Sequence, residues 1–126
     1  IIFHGSKPNE EVTKEIMYSD FTILIRDDKR ETKAGFPTKV SESISCGTPV
    51  ITTKTSDLED YIIEGKNGFF INIEPFEYSK DEFLEIMKMD KKRIFEMKME
   101  CVESEAFYYE KYTDKILSFI NNLKET

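Results

Sequence analysis

Cysteine, histidine and tryptophan are scarce in this 126-residue sequence, which has two cysteines, one histidine and no tryptophan. Cys46 and Cys101 are not spaced as a CxxC pair. The sequence therefore argues against a disulfide framework or a zinc site and predicts two buried, reduced thiols. His4 lies in an apolar run, where we expect a structural role rather than that of a catalytic base.

Basic residues are outnumbered by acidic ones, and the net charge is −7. A chain this acidic is not expected to bind nucleic acid. It can still bind an anion locally, because backbone amides and one or two lysines act at short range while distant charges are screened. The sequence also lacks a signal peptide and any apolar run of about 18 residues, so we expect a cytoplasmic protein.

The length fits one domain with one core. Four apolar runs in the first 74 residues predict strands: IIFHGS, FTILIRD, PVITT and FFIN. The second run is continuous, which is typical of a strand covered on both faces. Because the first run begins the sequence without a methionine or a polar lead, we expect the chain to be part of a longer protein.

Segments of helical periodicity separate these runs. One predicted helix can be capped by Asn9, a second spans residues 38–46 and can end at Gly47, and a third begins at a capping box formed by Ser56 and Glu59. The segment DDKRETKAGFP before the second helix predicts a charged loop. The order βαβαβαβ predicts an α/β fold with a Rossmann-like parallel sheet of about four strands flanked by helices. A hairpin at the Asn-Gly pair of residues 67–68 is the competing interpretation.

Only helices are predicted from residue 79 onward. Ser79 and Glu82 match a second capping box, and Asp90 can cap the next helix. The last helix has an apolar stripe of Ile116, Leu117, Ile120 and Leu123. Lysines and aromatic residues in this tail are compatible with membrane binding, but interleaved glutamates favour a solvated face above a packed stripe.

The stretch GFPTKVSESISCGTPVI, residues 35–51, predicts a loop, a short helix and a strand in immediate succession. In an open parallel sheet, the loop before such a helix lies at the carboxyl end of a strand, where ligands usually bind. The first turn of the helix also has unpaired N–H groups. The stretch therefore predicts half of a binding crevice.

Residues 34–71, AGFPTKVSESISCGTPVITTKTSDLEDYIIEGKNGFFI, resemble the donor-binding core of the family-four glycosyltransferases. That family's usual pattern is EGFG, four residues, EA, a small residue and GxPVI, followed later by an acidic residue, GxxG and an apolar strand. The matching positions are Gly35-Phe36, Glu42, Gly47, Pro49-Val50-Ile51, Glu59, Gly65 and Gly68. IIFHGS, FTILIRD and AFYYEKY also fit the family's order.

The resemblance implies a GT-B enzyme made of two Rossmann-like domains, with a nucleotide-sugar donor bound to the C-terminal domain and the acceptor to the N-terminal one. It also implies transfer of a hexosyl-type sugar with retention and without a metal at the donor site. Residues 1–126 would then be part of the C-terminal domain, with the N-terminal domain of the same parent chain and a glycan or lipid-linked acceptor as partners. The implied role is polysaccharide or glycoconjugate biosynthesis, with the parent enzyme peripheral at the inner face of the membrane.

Glu42 matches the glutamate that binds the ribose hydroxyls of the donor in that family, a role suited to a carboxylate, which accepts two hydrogen bonds from a vicinal diol. The backbone N–H groups of Thr38, Lys39 and Val40 are expected to face a diphosphate, because they lie in the first turn of the helix. Pro37 suits the helix start, since proline has no N–H group that would be left unpaired there. The Lys39 ammonium either adds a point charge there or is an ordinary surface group.

Gly35 and Phe36 are expected to let the backbone pass close to the donor sugar, which is compatible with a turn glycine beside a core phenylalanine. Ser6 and Lys7 match the place where the family's main chain meets the nucleobase. Together with residues 37–40 and 42, these four residues complete the predicted donor-binding set.

The sequence departs from the family at Ala34, where the first glutamate of the family's pair should stand. Either Glu31 or Asp28 substitutes for it, or the sugar is positioned differently, so the catalytic residue is not assigned. Arg26 ends the second predicted strand near the crevice, where it can pair with Asp27, with Asp28 or with a ligand phosphate.

In the family's strand order 3-2-1-4-5-6, these residues hold strands three to six and lack one and two. IIFHGS would then lack its neighbours and either move beside FTILIRD or leave an exposed edge that pairs with a second copy, giving a homodimer. We expect the chain alone to be inactive, because catalysis requires the acceptor domain to close over the donor.

A different class of protein, a non-catalytic α/β interaction or receiver-like signalling module, is the alternative. Asp27 and Asp28 follow a predicted strand, as a phospho-acceptor would. Such a module should also have acidic residues after its first strand, where this chain has His4, Gly5 and Ser6. A Rossmann-like domain encoded before these residues in the parent gene would favour the glycosyltransferase.

Overall fold

The computed structural model describes residues 1–27, 29–74 and 76–124. Their three strands, β1 (Thr22–Leu24), β2 (Val50–Thr52) and β3 (Gly68–Phe70), form one parallel sheet in the order β1-β2-β3. The register pairs Thr22 with Val50 and Val50 with Gly68. The predicted parallel α/β fold is therefore confirmed, and the alternative of a hairpin at residues 67–68 is wrong.

Helices cover this sheet and continue beyond it. Within the described residues they are α1 (Asn9–Tyr18), α2 (Arg30–Ala34), α3 (Thr38–Ser45), α4 (Phe76–Met87), α5 (Lys91–Glu103) and α6 (Thr113–Lys124). Two short 3-10 helices span Leu58–Asp60 and Tyr109–Tyr112. No helix in these residues is both long enough and apolar enough to cross a bilayer.

The sheet has three strands rather than four because IIFHGS forms no strand. Residues 1–6 are exposed and lie outside the ladder. A strand requires hydrogen bonds to a neighbouring strand, and among the described residues no strand lies beside this segment, whose exposed backbone groups can bond to water instead. Because residues 1–6 form no strand, β1 is an edge strand of the sheet, and its residue Ile23 is 50% exposed. The prediction that FTILIRD is covered on both faces is therefore wrong, whereas all three residues of β2 are buried.

One predicted loop and three predicted helix starts also need correction. The segment before α3 is a loop interrupted by α2, and the helix predicted after Ser56 is only the 3-10 turn Leu58–Asp60. Ser56 has a φ of 53°, so it does not cap a helix with ordinary geometry. Ser79 lies inside α4 and is buried. Asn9 is the first residue of α1, which follows Pro8 as its N-cap without a side-chain cap.

Two helix ends follow the predictions. The Asp90 carboxylate accepts a hydrogen bond from the Arg93 N–H at 2.9 Å and so caps α5. Gly47, with a φ of 74°, ends α3. Its N–H donates to the Ile44 carbonyl and the Thr48 N–H donates to the Ser43 carbonyl, both at 3.0 Å. This pair of bonds is a Schellman motif, which satisfies carbonyls that the helix end would leave unpaired.

The core lies between α3, α5 and the sheet. Its main cluster consists of Val40, Ile44, Val50, Leu58, Ile62 and Cys101. A buried polar link reinforces the contact between α3 and β1, because Ser43 Oγ lies 2.7 Å from Thr22 Oγ1 and also donates to the Thr48 carbonyl at 2.8 Å. The position of α3 relative to the sheet is therefore fixed by both apolar and polar contacts.

Lys98 ties α5 to the end of α1. Its ammonium donates to the carbonyls of Met17 at 2.9 Å and Ser19 at 2.6 Å. Such a cation satisfies carbonyls left free at a helix C-terminus. Partial burial lowers the pKa of Lys98, and the nearby Asp20 carboxylate opposes that shift.

The apolar stripe of α6 is not packed, contrary to the prediction. Ile116, Leu117, Ile120 and Leu123 are each at least 40% exposed. The helix follows the 3-10 turn Tyr109–Tyr112 and contacts it rather than the main core. A helical stripe shows that a helix has an apolar side, but it does not identify the surface that covers that side.

Candidate functional site

The carboxyl ends of the three strands meet in an open crevice of about 530 Å³. Its lining comes from Arg26, Asp27 and Lys29 after β1, residues 53–55 after β2 and residues 71–74 after β3. Ligands of open α/β sheets bind at this edge, because the loops that leave the strands converge there. A crevice is therefore present at the strand ends, but none of residues 35–51, from which the sequence predicted half of a binding crevice, lines it.

Arg26 fixes the end of β1 to its surroundings through three hydrogen bonds. Its N–H donates to Thr53 Oγ1 at 3.0 Å, and Thr53 Oγ1 donates to the Arg26 carbonyl at 2.8 Å. The guanidinium Nη1 donates to the Gly35 carbonyl at 3.0 Å. The structure thus pairs Arg26 with a backbone carbonyl rather than with Asp27, whose carboxylate lies 2.6 Å from Lys29.

The start of α3 has two free amides rather than three. Pro37 is the N-cap residue, with φ −77° and ψ 106°. The Val40 N–H donates to the Pro37 carbonyl at 2.9 Å, so the expectation that this amide faces a ligand is wrong. Within the described residues, the N–H groups of Thr38 and Lys39 have no hydrogen-bond acceptor. An α-helix leaves its first amides unpaired, and these two are available to an anion.

Glu42 lies one turn into α3. Its Oε2 is 2.8 Å from Lys39 Nζ, and its side chain is 27% exposed. It is not among the residues that line the strand-end crevice. Burial raises the pKa of the neighbouring Cys46 thiol, and the negative charge of Glu42 contributes to the same shift. The pair formed by Lys39 and Glu42 therefore joins a cation near the free amides to a carboxylate on the adjacent turn.

Phe36 anchors the loop before α3 in an aromatic cluster. Its ring centroid lies 5.1 Å from that of Tyr61 and 5.7 Å from that of Phe107, and the latter two rings stack at 5.0 Å. Gly35 precedes this anchor with a φ of −131°, and a Cβ built on it would meet no atom within 4 Å. The protein itself therefore leaves open space beside residue 35.

Ser6 and Lys7 lie apart from these residues. Lys7 pairs with Glu15 at 2.9 Å and lines a separate hollow of about 420 Å³ beside Thr22, the first residue of β1. Ser6 is exposed. The crevice lies at the opposite end of that strand, so the structure does not bring the two groups together.

The candidates for the missing glutamate are not gathered into the crevice. Ala34 is exposed at the end of α2, and Glu31 is exposed in its first turn. Neither lines the crevice, and Asp28 lies outside the described residues. No catalytic carboxylate is assigned.

The crevice residues that the sequence analysis did not identify include Thr53, Lys54 and Thr55. Thr53 donates a hydrogen bond to the Arg26 carbonyl, and Lys54 pairs with Glu59 at 2.9 Å. Thr55 is 5% exposed, and its hydroxyl has no hydrogen-bond partner in the part of the chain that the structure describes. The signal that could have found them is their position, since they follow PVIT at the end of a strand in a predicted parallel sheet.

Among residues 1–27, 29–74 and 76–124, no group of three or more histidine, cysteine, aspartate or glutamate side chains is arranged to hold a metal ion.

A parallel sheet flanked by helices, with a crevice at the carboxyl ends of its strands, defines a partial Rossmann-like domain of the GT-B kind. Residues 1–105 match the family described as glycosyl transferases group 1. The match covers most of the sequence, and the chain belongs to that family. None of the curated proteins compared with the chain matches it. Family membership supports a glycosyl transfer function and favours it over the receiver-like alternative.

Proposed function

We propose that residues 1–126 are the donor-binding part of the C-terminal domain of a family-four glycosyltransferase, which transfers a hexosyl-type sugar from a nucleotide-diphosphate sugar with retention. The observation that carries the proposal is the start of α3, where the N–H groups of Thr38 and Lys39 have no acceptor among the described residues. They lie two and three residues after Phe36, whose packing fixes the loop. The diphosphate accepts hydrogen bonds from these amides and gains from the helix dipole.

The side chains of Lys39 and Glu42 complete this arrangement. An ammonium has three donors and a carboxylate about four acceptor positions, so their mutual bond at 2.8 Å leaves both with unused capacity. Glu42 accepts hydrogen bonds from the ribose hydroxyls, while Lys39 adds positive charge beside the diphosphate. In the reaction, the bond between the anomeric carbon and the diphosphate oxygen breaks, and the acceptor hydroxyl oxygen bonds to that carbon. Negative charge develops on the leaving diphosphate, which takes up the hydroxyl proton. Amides already fixed at that position stabilise the charge without reorganisation.

The neighbouring crevice gives the sugar room beside Gly35. Arg26 connects the crevice lining to the Gly35 carbonyl, and no protein atom lies within 4 Å of the Cβ position of residue 35. The acceptor, a glycan or lipid-linked sugar, is delivered by the N-terminal domain of the parent chain, as the family resemblance implies. We place this transfer in polysaccharide or glycoconjugate biosynthesis at the cytoplasmic face of the membrane, without a metal at the donor site.

Substitution of Glu42 by alanine is expected to weaken donor binding by about 1–3 kcal/mol, the usual effect of losing hydrogen bonds to a charged group. Isothermal titration of the full-length enzyme with UDP- and GDP-sugars measures this change. Glu85→Ala is the matched control, because it removes a carboxylate that forms the same kind of i,i+3 pair with a lysine, at 3.0 Å, but lies in α4 and does not line the crevice. Equal affinity of Glu42→Ala and the parent enzyme removes Glu42 from the site, and no binding of any nucleotide-diphosphate sugar defeats the proposed function.

One of the two edge strands of the sheet suggests a further partner. Within the described residues β1, like β3, is paired on one side only, and Ile23 of β1 is half exposed. An open edge of this kind accepts another strand, so we propose that a second copy covers it when the chain is isolated. Sedimentation velocity at several concentrations should show a dimer, and a monomer throughout would contradict this.

A further inference from the structure

Arg26 links three segments of the proposed donor site. Two hydrogen bonds to Thr53 Oγ1, at 3.0 and 2.8 Å, fix its backbone at the end of β1. Thr53 is 6% exposed, and these two hydrogen bonds are partly shielded from water. The side chain then crosses to the loop before α3, where Nη1 donates to the Gly35 carbonyl at 3.0 Å in an exposed hydrogen bond.

The loop that receives this bond has few other constraints. Gly35 has no side chain, and its Cβ position is empty of neighbours. The helix before it, α2, has five residues and none of them is buried. Phe36 is held by its aromatic contacts, and proline fixes φ at residue 37. The Arg26 bond therefore adds a second fixed point immediately before the turn that carries the free amides.

We propose that Arg26 is a positioning residue for donor binding. Its guanidinium holds the Gly35 carbonyl and thereby sets the direction of the Thr38 and Lys39 N–H groups. This inference rests on the proposed function, because it assumes that those amides bind the diphosphate. Arg26 acts through the loop and does not need to contact the ligand.

The first test uses UDP and GDP as probes and measures their dissociation constants with the full-length chain. Arg26→Ala is expected to weaken binding about tenfold, the scale of one hydrogen bond to a charged group. Arg26→Lys keeps a donor that can reach the carbonyl, and we expect it to restore affinity to within about threefold. Lys91→Ala is the control, because it removes a cation that is likewise paired with an aspartate, Asp20 at 2.6 Å, but does not line the crevice.

A double-mutant cycle separates positioning from direct contact. Thr38→Pro deletes one of the two free amides, so Arg26→Ala should cost less than about threefold in that background if it acts through the turn. A full tenfold loss there, or an equal loss in Lys91→Ala, would overturn the inference. A lower melting temperature with unchanged affinity would also overturn it, since a merely structural role has that effect.

Further outcomes distinguish a variant that does not fold, a failure of the proposed function and a failure of the role of Arg26. If Arg26→Ala does not fold, Arg26→Gln takes its place in the same cycle, because it keeps part of the stem and loses the long reach to Gly35. If the parent chain binds neither UDP nor GDP, the proposed function fails. If the parent chain binds them, and Arg26→Ala (or Arg26→Gln in its place) binds as tightly as the parent chain, only the proposed role of Arg26 fails.

Discussion

Replacement of Gly68 by alanine should lower the free energy of unfolding by about 3 kcal/mol, the upper range for forcing extra atoms into a packed core. Gly68 begins β3 beside β2. A Cβ at this position would lie 2.5 Å from the Val50 carbonyl oxygen and 3.0 Å from Ile62 Cγ2. The oxygen belongs to the central strand, which is buried on both faces, so relief requires the strands to separate. Urea denaturation followed by circular dichroism measures the change.

Gly35→Ala is the matched control for this substitution. The added methyl group meets no atom within 4 Å, and the backbone φ of −131° is open to any residue. Its effect on unfolding should stay within about 0.5 kcal/mol, as for most substitutions at open positions. Equal unfolding midpoints for Gly68→Ala and the parent protein would show that β2 and β3 do not approach each other as described.

Stability should fall by about 2 kcal/mol between pH 8 and pH 10.5 through Cys101 alone, by the linkage of proton binding to unfolding. Burial raises the pKa of this thiol from 9.0 to about 12, with Lys98 opposing the shift and Glu100 adding to it. In the unfolded chain the thiol ionises from about pH 9 upward, while in the folded protein it stays protonated. The contribution is therefore constant below pH 9 and is lost progressively as the pH rises toward 12.

The measurement is urea unfolding at both pH values for the parent protein and for Cys101→Val, which cannot ionise. Other groups titrate in this range, including Lys98, whose lowered pKa acts in the opposite direction. Only the difference in pH dependence between the two proteins reports on Cys101. Identical pH dependence would mean that the thiol is not shielded from water.

Local signals predicted the elements whose ends are set by neighbouring residues. Gly47 ends α3, and Asp90 begins α5, because a positive φ and a capping carboxylate act within one turn. The parallel pairing of β3 followed from the rhythm of helices and strands. Asn67 supports that turn directly, since its side chain accepts from the Ile63 N–H and donates to the Tyr61 carbonyl.

Elements that depend on distant partners were predicted poorly. IIFHGS has the composition of a strand but has no strand beside it, and the stripe on α6 has no core beneath it. Ser79 has the pattern of a cap, yet α4 begins at Phe76. Composition states what a segment can form, whereas long-range pairing decides whether it does.

Some features of the candidate site were likewise predictable from the sequence and others were not. The position of α3 and of the strand-end crevice follows from the order of elements, and the family motif indicates Glu42. The hydrogen bond from Arg26 to Gly35, and the Thr55 hydroxyl that has no partner among the described residues, depend on side-chain directions across the sheet. The bond that occupies the Val40 amide depends instead on the backbone geometry of one turn.

The most direct measurement compares Thr38→Pro with Thr38→Ala in titrations of the full-length protein with UDP and GDP. Thr38 is the first residue of α3, a position where proline is well tolerated, so the substitution removes the N–H while the helix remains. The preceding residue has φ −77° and ψ 106°, which a following proline permits. We expect about a tenfold loss of affinity for Thr38→Pro and none for Thr38→Ala. Equal affinities in the two folded variants would contradict the claim that the amides at the start of α3 bind the diphosphate.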